Sequence, residues 1–289
     1  MEKIEYQFIG DDPELQREAV DVLARCFEVW AERKIAYKGR FPFREYSFLA
    51  RTSSGEAVGH LGIIPFDVQD GSGSFIAMAG VASVAVLPQW RMHGIAGGLC
   101  HEASSWAEKK GFAAMPLYTS KIRVYEKNGW QIIPPGAKYL SAPQPVQDDD
   151  SWRSGGSLSD EERSFIIECR EKSAPLAGVV KRTFDACDAV SWQRLFSKPD
   201  HLWLLTGNGY YLKVDGVLAE GSADVPLPPG VDRAFLSEND PLYSKLISAG
   251  WCENGTDEHF PPCWEGETVM LKVLNGPIPP LHYPLANKF

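Results

Sequence analysis

One segment of the sequence, residues 81–96, combines an apolar strand, a tight turn and a helix start, an arrangement that can bind an anion. Arg91 lies in the turn, and Gly94 and Ala96 leave little side-chain bulk where the helix begins. The first backbone N–H groups of a helix have no intrahelical partner, and the helix dipole adds about half a positive charge there. The segment therefore predicts a site for a phosphate or diphosphate group.

Glycine-rich turns also bind dinucleotides and nucleoside triphosphates. A dinucleotide site requires Gly-x-Gly-x-x-Gly, and a P-loop ends in Gly-Lys-Ser or Gly-Lys-Thr. Neither pattern surrounds Gly94. The apolar spacing that follows predicts an amphipathic helix up to Gly111, a strand over residues 112–119, a short helix around Tyr125 and a strand over residues 131–133.

The Arg-x-x-Gly-x-Ala motif and this order of elements resemble the GNAT acetyltransferase superfamily, in which loop amides bind the diphosphate of acetyl-coenzyme A. The resemblance implies that acetyl-coenzyme A is the co-substrate. It also implies contacts from strand amides, from the turn and helix start, and from one residue after the next strand: Val84, Val86, Arg91, Met92, His93, Gly94, Ile95, Ala96, Gly97 and Ser120. Many relatives have asparagine at the position of Ser120, and a serine hydroxyl replaces only part of that contact.

The segment from Tyr125 to Trp130 resembles the Tyr-x-x-x-Gly-Phe ending of the same family, with Gly129 in place and tryptophan for phenylalanine. A phenol with a pKa near 10 is protonated at neutral pH and can donate its proton to a departing thiolate, whose pKa is about 8.5. The resemblance implies that Tyr125 is the general acid, that the amine attacks the thioester directly, and that a strand amide near Val84 stabilises the oxyanion. The alternative is that Tyr125 only packs between helix and sheet.

A general base is harder to assign, because the strand before the turn has no Asp or Glu between Gly80 and Leu87. His60, Asp67 and a water relay are candidates. In similar proteins the terminal carboxylate helps to deprotonate the amine, which makes Phe289 a further candidate. The aromatic and basic loop over residues 30–46 either borders the acceptor pocket or packs between domains.

Composition and charge limit the remaining possibilities. The chain has 289 residues, of which 44% are hydrophobic, so it is expected to fold into two globular domains. Its net charge of −9 argues against a nucleic-acid partner and is consistent with a cationic small-molecule amine. The 6 cysteines show no metal-ligand spacing, so neither a metal nor a disulfide framework is expected. No stretch predicts a signal peptide or membrane span; we expect a cytoplasmic protein, and homo-oligomerisation stays open.

The fold class predicted is α/β, with a GNAT-type mixed sheet flanked by helices and followed by a second, degenerate GNAT-like α/β domain. The expected divisions are residues 1–143 for the acetyl-coenzyme A-binding domain, 144–157 for a linker rich in turn-forming residues, and 158–289 for the degenerate domain. This tandem pattern resembles acetyltransferases of the enhanced intracellular survival type without their sterol-carrier-like domain.

Helices are predicted over residues 13–31, capped by Asp11 or Asp12, and over 180–197, and Ser159 and Glu162 have the spacing of a capping box. In the second half, residues 242–251 repeat the pattern of 124–130, whereas 226–230 replace the Arg-x-x-Gly-x-Ala element. A strand over residues 268–274 is expected to close this half.

The function expected is N-acetyl transfer to a primary amine. Two alternatives remain, a non-catalytic acyl-coenzyme A sensor and an acyl or aminoacyl transferase that uses another donor. A sensor needs no proton donor, whereas Tyr125 is present; a user of aminoacyl-transfer RNA would show a basic face, which the net charge of −9 disfavours.

Overall fold

The computed structural model describes residues 2–28, 46–133, 137–144, 152–155, 158–172, 177–181, 202–214, 216–254, 268–279 and 281. Within them the chain forms two seven-stranded sheets with helices packed against them. The mixed α/β architecture predicted from the sequence is confirmed.

The first sheet contains the strands that lead to the predicted anion site. Its strands from the first part of the chain are β1 Ile4–Phe8, β2 Ser47–Thr52, β3 Ala57–Gln69, β4 Phe75–Val86, β5 Ala114–Thr119 and β6 Gln131–Ile132. Neighbours from β1 to β4 are antiparallel, and β4 and β5 are parallel. Helices α1 Pro13–Cys26, α2 Ile95–Lys109 and α3 Ile122–Glu126 belong to the same part of the chain.

Helix α1 begins where its cap residue predicts and ends early. The Asp12 carboxylate accepts hydrogen bonds from the backbone N–H groups of Glu14 and Leu15, which identifies Asp12 rather than Asp11 as the cap. The helix stops at Cys26 because Phe27 has extended backbone angles, so the prediction that it continues through residue 31 is wrong at Phe27. Residues 29–31 lie outside the described ranges.

The second sheet contains β7 Lys138–Ser141, β8 Arg153–Gly155, β9 Leu202–Thr206, β10 Gly209–Val214, β11 Val217–Gly221, β12 Arg233–Leu236 and β13 Cys252–Asn254. Helices α4 Asp160–Lys172 and α5 Pro241–Ser248 accompany it. The predicted capping box is confirmed, since Ser159 N–H donates to the Glu162 carboxylate over 2.8 Å and Glu162 N–H donates to Ser159 Oγ over 3.3 Å.

The two sheets have equivalent strand orders, and each includes one strand from the part of the chain that otherwise forms the other sheet. The first runs β1-β2-β3-β4-β5-β14-β6, where β14 is Thr268–Val273, and the second runs β8-β9-β10-β11-β12-β7-β13. Strand β14 is antiparallel to both β5 and β6, and β7 is antiparallel to both β12 and β13. The chain thus exchanges one strand in each direction.

This exchange corrects the sequence-based placement of residues 268–274. The strand exists, but it completes the first sheet and not the second, because its backbone groups pair with those of β5 and β6. Likewise β7 precedes the predicted linker and yet lies in the second sheet. The divisions 1–143 and 158–289 therefore do not coincide with the two sheets.

Apolar side chains from both sheets meet in one buried cluster. Met78, Val269 and Leu271 of the first sheet are packed in the same cluster as Leu212 and Phe235 of the second. Such burial contributes about 1.5–3 kcal/mol for each large side chain. The sheets are therefore joined by a core as well as by the exchanged strands.

The helix predicted over residues 180–197 is not present at residues 180 and 181, the only ones of this range that the structure describes. Val180 forms an antiparallel bridge with Val68, and residues 182–197 lie outside the described ranges. None of the helices in the described part of the chain has both the length and the apolar character needed to cross a membrane.

Candidate active site

The site is built around an opening between two parallel strands. Met78 and Ala114 are the only paired residues of β4 and β5, so among the described residues the carboxyl half of β4 has no partner strand on that side. Leu87 N–H donates to Val58 O of β3 over 3.0 Å. Because N–H directions alternate along a strand, Val86 N–H faces away from β3 and towards the opening. Val86 is also partly exposed.

The turn after β4 leaves the N-terminus of α2 free of side-chain caps. Met92 and Gly94 have left-handed backbone angles, with φ of 66° and 78°. Gly94 is the cap residue, makes no side-chain cap hydrogen bond, and is followed by a first turn without acidic residues. The N–H groups of Ile95, Ala96 and Gly97 are therefore available to an anion.

Glycine is favoured at position 94 by the backbone conformation and not by a lack of space. A Cβ atom built there would have no neighbour within 4 Å, whereas its φ of 78° is one that L residues rarely adopt. The opposite holds at Gly98, where a Cβ would overlap the Tyr6 ring of β1. The first glycine shapes the turn, and the second lets α2 approach the sheet.

Side chains of the turn hold it in this shape. Arg91 Nε donates to Val86 O over 3.2 Å, and His93 Nδ1 donates to Arg91 O over 2.8 Å. The His93 ring lies edge-on to Trp90, with centroids 6.0 Å apart. The Met92 side chain is fully exposed.

Ser120 and Tyr125 follow β5, whose carboxyl end lies at the same edge of the sheet as that of β4. Ser120 is exposed directly after β5. Tyr125 is buried at the end of α3, with its ring edge-on to Trp130 at 6.0 Å. Trp130 is fixed in turn by a 2.7 Å hydrogen bond from Nε1 to Met115 O. The predicted residues from β4, the turn and the segment after β5 thus lie at one edge.

Burial determines the ionisation of Tyr125. Desolvation raises the pKa of its phenol well above the ordinary value of 10, and the neighbouring Cys100 thiol adds to the effect. The hydroxyl makes no hydrogen bond with any residue in the described ranges. The phenol therefore remains protonated at every pH at which the protein would be assayed.

The candidate bases are not brought to this opening. His60 is fully buried inside the sheet, where Nδ1 bonds the Ser83 carbonyl over 2.8 Å. Asp67 is paired across from Ala77, seven positions before Val84 along β4, which is about 23 Å at the rise of an extended strand. Residues 30–45 and Phe289 lie outside the described ranges.

Two residues near the site have no signal in the sequence. Ser83, within apolar β4, has a left-handed φ of 53°. Lys272 of β14 donates from Nζ to Ser104 Oγ of α2 over 3.0 Å and lies 4.8 Å from the centre of the Trp130 ring. Burial lowers the pKa of the Lys272 ammonium. Ser83 has its angle because the strand pairing shifts there, and Lys272 arrives through the exchanged strand, so neither follows from local spacing.

In the second sheet, a loop occupies the position that corresponds to the turn and helix start after β4. Residues 222–232, all of which the structure describes, join β11 to β12 without a helix. The Val225 carbonyl of this loop accepts hydrogen bonds from Tyr211 Oη, over 3.0 Å, and from Lys245 Nζ. A Cβ at Gly221 would overlap the Tyr211 ring, so this ring covers β11. In the described residues, the second sheet therefore has no equivalent of the free helix N-terminus.

Comparison with known proteins agrees with this geometry. Residues 13–133 match the family model of the acetyltransferase (GNAT) domain. No curated protein gave a significant match.

Solved structures share the fold over nearly the whole chain. A GCN5-related N-acetyltransferase from Kribbella flavida is 18% identical, with a TM-score of 0.60 over 94% of this chain and 71% of that one. One from Anabaena variabilis is 16% identical, with a TM-score of 0.62 over 94% and 73%. Eis1 from Mycobacterium abscessus is 14% identical, with a TM-score of 0.59 over 94% and 74%. Residues 13–133 are therefore identified as an acetyltransferase domain of the GNAT family.

Proposed function

We propose that the protein transfers the acetyl group of acetyl-coenzyme A to the primary amine of a small molecule. The observation that carries the proposal is that two groups of backbone donors lie at the same end of the parallel strands, and neither has a hydrogen-bond partner among the described residues. The first is at Val86 in the β4–β5 opening, and the second comprises the free N–H groups of Ile95, Ala96 and Gly97. An extended thioester with a diphosphate at its far end matches this arrangement.

In the proposed reaction, the neutral amine nitrogen attacks the thioester carbonyl, and the carbonyl oxygen becomes an oxyanion. The N–H of Val84 donates to this oxygen, as backbone donors do in other acyl transfers. The C–S bond then breaks, Tyr125 donates its proton to the sulfur, and the positively charged nitrogen loses one proton, which passes through water and restores the Tyr125 phenol. Because burial raises the pKa of the Tyr125 phenol, its proton is present when the thiolate forms.

The second half of the chain is proposed to be a GNAT-like unit that binds no coenzyme A. Its sheet has the strand order of the first, and the Val225 loop with the Tyr211 ring occupies the place of the anion site. The division of the chain into two domains thus remains a proposal, amended by the exchange of β7 and β14. One acetyl-coenzyme A per chain is the expected stoichiometry.

A turnover screen tests the proposal. Purified protein is incubated with acetyl-coenzyme A and single amines, aminoglycosides, amino acids or peptides, while released thiol is measured spectroscopically and products by mass spectrometry. We expect one acetylated amine per thiol released with at least one acceptor. Tight binding of acetyl-coenzyme A without any acetylated product would instead identify a sensor.

A further inference from the structure

Strands β3 and β4 change register at one place. His60 pairs with Ala85 and Gly62 pairs with Ala82, so Leu61 alone lies opposite both Ser83 and Val84. This is a β-bulge, which re-aims the backbone groups of the longer strand. Ser83 carries the bulge with a φ of 53°, a left-handed value that is unfavourable for a residue with a side chain. Neighbouring groups must therefore hold it.

The His60 side chain is such a group. It is 0% exposed, and its Nδ1 lies 2.8 Å from the Ser83 carbonyl oxygen. A carbonyl only accepts hydrogen bonds, so Nδ1 must carry the proton. The imidazole lies beside Gly62, where a Cβ would be 3.4 Å from His60 Cε1 and, more tightly, 3.2 Å from Ala82 O.

This hydrogen bond determines where the next N–H points. The peptide bond between Ser83 and Val84 is trans, as all peptide bonds in the described residues are. In a trans peptide the carbonyl and the following N–H point in opposite directions. Since the Ser83 carbonyl points to the His60 ring, the Val84 N–H points away from that ring.

We propose that His60 is a positioning residue that holds the β4 bulge and thereby aims the Val84 N–H at the thioester oxygen. This inference rests on the proposed function and assigns His60 no contact with the substrate. When the amine nitrogen bonds to the thioester carbon, negative charge develops on the oxygen, and the fixed N–H stabilises it without reorganisation. His60 is therefore not the base but the support of the oxyanion donor.

A matched pair of substitutions tests the inference. Asn and Leu have nearly the same shape, but only Asn has a donor at the branch position that corresponds to Nδ1. We expect His60→Leu to lower kcat by about ten- to a hundredfold, because a donor misplaced by about 1 Å loses most of its effect. His60→Asn should keep kcat within a few-fold of the wild type. The dissociation constant of coenzyme A should be unchanged in both, since its diphosphate binds at the turn.

The second measurement is independent of turnover. In ¹⁵N-labelled wild type and His60→Asn, acetyl-coenzyme A should move the Val84 amide proton downfield relative to coenzyme A, which has no thioester carbonyl. In His60→Leu, if it folds, this difference should disappear. Equal kcat in the Leu and Asn variants, or a Val84 amide that does not distinguish the two ligands, would overturn the inference. If the wild type acetylates no amine, the proposed function fails, and the Val84 amide alone decides on His60.

Discussion

Gly94→Glu places a carboxylate at the proposed diphosphate site without a steric clash, because a Cβ at Gly94 would have no neighbour within 4 Å. With the carboxylate about 6 Å from a diphosphate of charge about −2, the repulsion is about 1.4 kcal/mol at ε of about 80 and about 3 kcal/mol at ε of about 40. Since about 1.4 kcal/mol changes a dissociation constant tenfold, this repulsion corresponds to a loss of acetyl-coenzyme A affinity of about 10- to 100-fold.

The same helix offers a matched control. Gly111, just after the end of α2, also has a left-handed φ, 83°, and also has no neighbour within 4 Å of a built Cβ. Gly111→Glu therefore adds the same charge and a similar backbone cost, about 1–2 kcal/mol, at about 25 Å from the site. That distance is well beyond the Debye length of about 8 Å at physiological salt. Both variants should lose thermal stability, and only Gly94→Glu should lose affinity.

Isothermal titration calorimetry with acetyl-coenzyme A gives both affinity and stoichiometry. The penalty in Gly94→Glu should shrink as salt is raised, because screening weakens the repulsion. Equal affinities of the two variants would refute the placement of the diphosphate at the helix N-terminus. Two ligands per chain would refute the assignment of a single site.

Three further results are expected. Tyr125→Phe removes one hydroxyl from a buried ring, so kcat should fall by about 10²- to 10⁴-fold with little change in acetyl-coenzyme A affinity. If steady-state assays gave the same kcat for the variant and the wild type, the role of Tyr125 would be structural only. Proteolysis within residues 144–157 should leave both pieces in one peak on gel filtration, since β7 and β14 cross between the sheets, and separate peaks would contradict the exchange. Burial raises the pKa of the Asp240 carboxyl from 3.8 to about 6, so its stabilising contribution is lost as pH rises through 6. Because Asn can also accept the cap hydrogen bond from Leu242 N–H, Asp240→Asn should raise Tm by a few degrees at pH 8 and not near pH 4; a lower Tm at pH 8 would contradict this.

Local signals in the sequence predicted the local parts of the site. The strand, turn and helix around Gly94 could be assigned because each step depends on residues within a few positions: apolar residues before it, glycine in the turn, and amphipathic spacing after it. The same is true of the Asp12 cap and of the capping box at Ser159. Hydrogen bonds of this range leave a pattern that can be found without the fold.

Contacts between distant segments left no such pattern. The strand over residues 268–274 has the composition of a strand in either sheet, and only pairing with β5 and β6 shows where it belongs. The sequence places His60 in a strand but does not indicate its partner, because its hydrogen bond to the Ser83 carbonyl depends on a one-residue register shift. The left-handed angle at Ser83 could not be predicted either, because serine carries no preference for it.

The position of β14 also has a consequence for the protein while it is being made. Strands β5 and β6 leave the ribosome roughly 135 residues before β14, which at about 5–20 residues per second is a delay of about 7–27 s. During this time the edge of β5, with Met115 and Leu117, has no partner strand, and unpaired apolar edges promote association with other chains. The acetyltransferase unit thus cannot finish folding ahead of the rest, and nascent or truncated chains that lack residues 268–273 should be the species that need protection from aggregation.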